Sequence, residues 1–458
     1  MINNIENFNK SQLLIELPLK YKMLMVKKMI EEKPDWYPMW RELGIDIEKH
    51  DQLLAVLPDA FKTIYIDSQI NRPKNMAFWD FVVGDIHGLR VSELKKAKEE
   101  GKKVIGTFCL YIPDEIIVAL DAIGVGLCGG TNFSNFASEN LLPTNICALI
   151  KSALGFGIGN VCPYFAITDL LIGETTCDGK KKAWEILNDY KPVYIVETPQ
   201  CKTRPQARAH FIEELKALII KLEEVTGNIL TAEKLKKAME KISKKRKQLK
   251  RVYNTRKFDP VPISGKDGLL VSQIAFYDDP DRQIEMIGKL ADELEQRVKN
   301  GVGITDKDTK RILLSGTPMA IPNWKIHHLV ETKGAVIVAE ETCTGTRYFQ
   351  SEFEEKLGET IDDLIEQLAD RYLGINCACF TPNIGRKEDI LRLAKEYKAD
   401  GIILYTLNFC QPYDIEAVIL EKELKKAGFP VLSINTDYSS DDEGPLNTRI
   451  EAFLEMLK

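Results

Sequence analysis

KKVIGTFCLYIPDEIIVALDAIGVGLCGGT, residues 102–131, carries the plan of the chain in miniature. A short apolar β-type run, VIGTF, ends at Cys109. A helix-like run, IPDEIIVALDAIG, follows, opened by Pro113 and closed by Gly124. The run VGL then leads to Cys128 and the turn GGT. Strand, helix and strand in about 30 residues make a parallel crossover unit. Outward from it, strand DLLIGE before Cys177, helix KKKAWEILNDY and strand VYIVE repeat the pattern. From Arg311 onward RILLSG, NWKIHHLVETKG, AVIVAEE, TIDDLIEQLADRYLG, RKEDILRLAKEYKA, GIILYTLN, DIEAVILEKELKKAG and VLSIN alternate in the same way. This predicts an α/β protein of two doubly wound, flavodoxin/Rossmann-like parallel-sheet domains. Cys109, Cys343 and Cys410 come directly after the runs KKVIGTF, GAVIVAEET and ADGIILYTLNF. Ligands of open α/β sheets gather beyond the carboxyl ends of the strands. Three soft donors at that address predict a metal cluster in a cleft where the two domains face each other.

At 458 residues the chain needs two or three cores. We place an N-terminal helical region at 1–78, a first α/β domain at 79–204, a helical segment at 205–305 and a second α/β domain at 306–458. The early helices are read from LLIELPLKYKMLMVKKMIEE and HDQLLAVLPDAFKTIY, with apolar residues at helical spacing. Lys and Arg number 62 against 68 Asp and Glu, a net charge of −6, which argues against a nucleic-acid-binding surface. No apolar run approaches the ~20 residues of a membrane span, and the N-terminus lacks a signal-peptide layout. A cytoplasmic protein is expected. Its ten cysteines then call for a reason other than disulfides. Cys128, Cys147, Cys343 and Cys410 sit beside Gly, Asn, Thr or Gln at element ends, with Cys147 expected in the early turns of helix LPTNICALIKSALG.

Two phosphate-binding look-alikes fail on context. GVGLCG, residues 124–129, has its first glycine ending a helix and starting a strand, the reverse of a dinucleotide fingerprint. GETTCDGK, residues 173–180, has one residue too many between its glycines, and Lys181 stands where a phosphate loop has Ser or Thr. No ATP site is expected on this chain. Zinc is disfavoured too: there is no CxxC pair, and adjacent His327 and His328 on a helix point apart as packing or surface residues. Widely spaced cysteines suit an iron–sulfur cluster. The basic run KLKKAMEKISKKRKQLKR, residues 234–251, reads either as a solvated helix face or as a docking surface for an acidic partner.

GTFCLYIPDEIIVAL, GLCGGT, LPTNICALIKSALGFG, VCPYF and GETTCDGKKK, with the later EETCTGTRYF, CACFTPNIGR and LNFCQPYDIEA, resemble the 2-hydroxyacyl-CoA dehydratase family over roughly residues 80–458. Within it the chain looks most like the double-cubane cluster branch. The resemblance implies that Cys109, Cys147 and Cys410 match the three cysteines that hold one 4Fe-4S cluster in the ordinary dehydratase subunits. It implies a bridged 8Fe-9S double cubane here, with further ligands from Cys128, Cys343 and the Cys377/Cys379 pair. Cys162 and Cys177 compete for those places, and Cys201 reads as a spare thiol. The implied function is an anaerobic iron–sulfur oxidoreductase. It would accept low-potential electrons from a separate ATP-hydrolysing activator, which has its own 4Fe-4S cluster, and reduce a small substrate as a homodimer. The alternative is an (R)-2-hydroxyacyl-CoA dehydratase subunit with one 4Fe-4S cluster, forming enoyl-CoA by a ketyl-radical route.

Around these cysteines, Glu341 is the candidate proton relay, among Glu340, Arg347, Glu174 and Asp178. Gly129, Gly130 and Gly345 are expected to let backbone amides approach cluster sulfur. Thr131 and Asn132 read as a turn.

Overall fold

The computed structural model describes residues 35–353 and 356–457. The helix expected over LLIELPLKYKMLMVKKMIEE lies outside the described residues. β1 (Val104–Thr107), β2 (Ile123–Gly126), β3 (Leu170–Glu174) and β4 (Val193–Val196) form one sheet. A second comprises β5 (Lys310–Gly316), β6 (Ala335–Glu341), β7 (Gly401–Leu407) and β8 (Val431–Thr436). Both are wholly parallel, in the orders β2-β1-β3-β4 and β6-β5-β7-β8. The two units share one topology without a sequence repeat. β3, β6 and β7 are buried at every position, as parallel strands covered on both faces must be. In each unit the chain steps outward from its first strand and then crosses back over it. The order therefore reverses between β1 and β3 and between β5 and β7, which opens a crevice at their carboxyl ends.

Three boundaries differ from the sequence reading. The first crossover helix is only Asp114–Ala119, and Asp121 turns the chain with φ 55°. Gly124 therefore does not close that helix; it lies within β2, paired with Ile105. Cys147 precedes helix Ala148–Ile158 as its cap instead of sitting inside it. The chain does not end on β8, because helix Glu443–Met456 follows and buries Leu446, Ile450 and Phe453. The first sheet lies inside 79–204 and the second inside 306–458, while helix Ala77–Gly84 runs across the expected boundary at 78. No helix among the described residues is long and apolar enough to cross a membrane.

Helices Pro205–Thr226, Ala232–Thr255, Gly265–Ile274 and Pro280–Lys299 join the two units. The basic run lies in Ala232–Thr255, which packs on Pro280–Lys299 and on Asp114–Ala119. Several of its charges are matched inside the chain. Lys245 and Arg246 are buried against Asp114 and Glu115, Arg251 binds Asp292 and Glu295, and Lys241 binds Asp281. The run is split: its buried side clasps other elements through Lys245 and Arg246, and its other side, with Lys234, Lys237, Lys244 and Lys247 exposed, is the solvated face that the sequence suggests.

In the early helices, His50 Nε2 and His87 Nδ1 meet at 2.9 Å, with Trp40 Nε1 donating to His87 O at 2.8 Å. Burial pushes His50 down to about 4 and His87 down to about 3 from an ordinary 6.5. The unfolded chain therefore takes up protons that the folded pair refuses. Stability from this pair is complete above pH 6.5 and falls as pH drops from 6.5 toward 4. Urea midpoints measured from pH 7 to 4.5 should decline, and a His50→Gln/His87→Gln double variant should decline less steeply.

Candidate metal centre

The carboxyl ends of the strands deliver the cysteines. Cys109 follows β1, Cys128 follows β2, Cys177 follows β3, Cys343 follows β6 and Cys410 follows β7. A cavity of about 70 Å³ lies among Cys109, Cys128 and Cys343. Cys109, Cys128 and Lys180 line it from the first unit, Pro318, Ile321 and Cys343 from the second, and Phe276 and Tyr277 from the helical segment. The two units therefore do face each other. Backbone bonds lock them: Gly130 N donates to Ile321 O at 2.9 Å, and Ala148 N to Asn408 O at 3.4 Å.

The thiols fall into two groups. Cys147 and Cys410 shift each other's titration directly, with Cys128 and Cys177 in electrostatic contact. The interaction with Cys410 holds Cys147 down at about 7, while Cys410 itself is pushed up. On the other side Cys343 and Cys379 both act on Cys377 and lower it. Cys109 interacts electrostatically with all three. Motif order sets Cys109 with Cys147 and Cys410; in space its thiol neighbours are those of the second group. Burial pushes Cys128 up to about 11. Among the described residues, no three His, Cys, Asp or Glu side chains already stand as a metal-holding array. The donor chemistry nonetheless fits an iron–sulfur group, which takes soft thiolates, and not a hard cation.

Each thiol group has a buried cation beside it. Lys180 lies by Cys109 and Cys128, with Nζ 3.4 Å from Phe108 O and ion-paired to buried Glu174. Arg347 Nη1 lies 3.8 Å from Cys343 Sγ, and Tyr413 OH 3.5 Å from Cys377 Sγ. Positive charge at this range favours thiolate over thiol.

Residues 109–457 match the family model described as 2-hydroxyglutaryl-CoA dehydratase, D-component. The putative dehydratase subunit YjiM of Escherichia coli (strain K12) is 34% identical over 362 residues, covering 79% of this chain and 93% of that one. The chain belongs to the 2-hydroxyacyl-CoA dehydratase family. Similarity extends to the (R)-phenyllactyl-CoA dehydratase beta subunit of Clostridium sporogenes, 25% identical over 80% of this chain and 94% of the relative. It also extends to a benzoyl-CoA reductase subunit of Thauera aromatica, 26% identical over 80% of this chain and 91% of the relative.

In this family member Glu341 is fixed by Arg347, by Arg386 at 3.3 Å and by Ser315 Oγ at 2.6 Å, so its carboxylate belongs to an ion-pair network. Glu340 joins Arg256 and His327. The amides of Gly130 and Gly345 are already bonded to Ile321 O and Thr342 O. A Cβ at Gly130 would overlap Ala320 O, one at Gly345 would overlap Glu340 O, and one at Gly129 would overlap the Phe156 ring. Close backbone packing, not an amide offered to sulfur, is what Gly130 and Gly345 serve. Gly130→Val should therefore force the two units apart and lower stability by about 1–3 kcal/mol in a urea titration.

Thr131 Oγ1 accepts from Phe133 N at 3.2 Å, as a turn residue does. Cys177 Sγ accepts from Lys180 N at 3.5 Å as a helix cap. Asp178 pairs with Lys181 at 2.6 Å. Burial pushes Cys162 up to about 11, and Cys201 lines a separate outer cavity. Sequence reasoning placed Lys180, Lys181 and Lys182 together beside Cys177 without singling out Lys180, and missed Tyr413. Lys180 is one of three consecutive lysines, and only the turn after Cys177 singles out the one that faces inward.

Proposed function

We propose that this chain is an iron–sulfur reductase of the double-cubane type, fed with single low-potential electrons by a separate ATP-hydrolysing activator. The observation that carries the reading is a cavity between the two sheets lined by Cys109, Cys128 and Cys343, with one cluster of further thiols behind Cys128 and another behind Cys343. Cys128, Cys147 and Cys410 would hold one half of an 8Fe-9S group. Cys109, Cys343 and one of Cys377 and Cys379 would hold the other. When bound, such a group supplies one-electron chemistry at potentials that reach about −700 mV in iron–sulfur proteins. The chain's own part is to seal the site and place charge. Phe108, Phe276 and Ile321 keep the cavity wall apolar, and Lys180 and Arg347 offset the thiolate charge. Residues 173–180 depart from a phosphate loop, so the energy of ATP hydrolysis is assigned to the activator, which docks on a homodimer.

A second reading is a 2-hydroxyacyl-CoA dehydratase subunit with a single 4Fe-4S cluster. The names of the relatives favour it, being subunits of dehydratases and of a coenzyme A ester reductase. Turnover assays with an activator and ATP separate the two. Net electron consumption with a small acceptor supports the reductase. Catalytic conversion of a 2-hydroxyacyl-CoA, with a related second subunit retained on purification, supports the dehydratase.

A further inference from the structure

A second cavity, open to solvent and about 670 Å³ in volume, lies at the carboxyl ends of β3 and β4. The two cavities share one turn: Lys180 lines the inner one and Lys181 the outer. Nothing in the proposed electron chemistry uses the outer one.

Its walls carry the marks of an anion site. Lys181, Arg204 and His210 line it, and Arg204 forms no ion pair among the described residues. Gln206 and Ala207 belong to the first turn of the 22-residue helix Pro205–Thr226. There Pro205 has no N–H and Ala207 N donates to Arg204 O at 3.0 Å, which leaves the Gln206 N–H to face a ligand at the positive end of the helix dipole. Independently of the helix, Thr198 lines the cavity at 3% exposure, and its Oγ1 has no hydrogen-bond partner. Buried hydroxyls are normally bonded, so an orphan one at a cavity wall marks a missing partner. His210 Nε2 is likewise without a hydrogen bond, 3.7 Å from Glu197 Oε1, a carboxylate that also lines the cavity. Thr198 N donates to Thr175 Oγ1 at 2.9 Å, which fixes the segment in place.

We propose that this outer cavity binds a phosphate-bearing small molecule, with its phosphates at the start of helix Pro205–Thr226 among Arg204, Lys181 and Thr198. The volume falls in the range of about 300–1,000 Å³ typical of small-molecule pockets, so the ligand carries an organic part as well. Two sources share this chemistry, a free nucleotide and the nucleotide portion of a coenzyme A ester. The inference holds whether or not the inner thiols carry iron.

Calorimetric titration of the full-length protein with pyrophosphate, ADP and coenzyme A tests it. Pyrophosphate should bind, more weakly as salt rises, and Arg204→Ser or Lys181→Ser should each weaken it about tenfold. Lys182→Ser, at the adjacent lysine outside the cavity, should leave binding unchanged. Thr198→Val should weaken binding while leaving the thermal stability of the free protein the same or higher, because no existing bond is removed. Tighter binding of ADP than of coenzyme A assigns a free nucleotide, and the reverse order assigns the ester. Binding of none of the three, or equal affinity in the Arg204→Ser, Lys181→Ser and Lys182→Ser variants, overturns the proposal.

Discussion

Anaerobically purified Cys410→Ser is expected to retain about half the wild-type iron or less. The expectation follows from where the sulfur sits. Cys410 lies directly beyond β7 and interacts with Cys147, which caps a helix of the other unit. These two thiols are donated by different domains, so removing one leaves its half of the site without a donor from the second sheet. Cys147→Ser should act alike. Cys201→Ser, at a thiol that lines the outer cavity, should keep full iron. Iron retained at the wild-type level in both Cys410→Ser and Cys147→Ser would remove that group from the site.

The largest loss of stability is expected from Arg256→Ala. Arg256 and Glu340 are both fully buried. Arg256 Nη1 donates to Glu340 Oε2 at 3.0 Å and Nη2 to Oε1 at 2.9 Å, while His327 Nε2 lies 3.0 Å from Oε1. Burial would raise the Glu340 carboxyl, but Arg256 and His327 outweigh it and hold it at about 2. Without Arg256 a buried charge loses its partner, a change that costs about 3–5 kcal/mol. Glu340 is the penultimate residue of β6, just before Cys343, so the damage should also reach the thiol group. A double variant, Arg256→Met with Glu340→Gln, should recover much of the loss, because no unpaired charge is then buried. The sign with pH is fixed. The folded carboxyl has the lower pKa, so its stabilisation is present above the ordinary 4.5 and is lost as pH falls from 4.5 toward 2. Denaturation midpoints at pH 7 and pH 3.5 check both statements.

The parallel strands were legible because burial on both faces forces unbroken apolar runs such as AVIVA and GIILY. The strand-end cysteines were legible because turns follow those runs directly. What stayed hidden depends on contacts between distant parts of the chain. Gly124 looked like a helix terminator because nothing local announces that Asp121 turns the chain three residues earlier. The solvated side of the basic helix was legible, but its buried side was not, because the acidic partners Asp114, Glu115, Asp281 and Glu295 come from other elements of the chain. Helix Glu443–Met456 was overlooked in a polar tail although Leu446, Ile450 and Phe453 keep helical spacing. The division of the thiols into two groups could not be read either. It depends on how two sheets with no sequence repeat are set against each other by the helices between them.

Iron and acid-labile sulfide per chain, measured on protein isolated without oxygen, bear most directly on the thiol-lined cavity. About eight irons with about nine sulfides per chain is the expected result. A chain that stays free of iron after reconstitution contradicts it outright, and about four irons would leave only one of the two thiol groups in use.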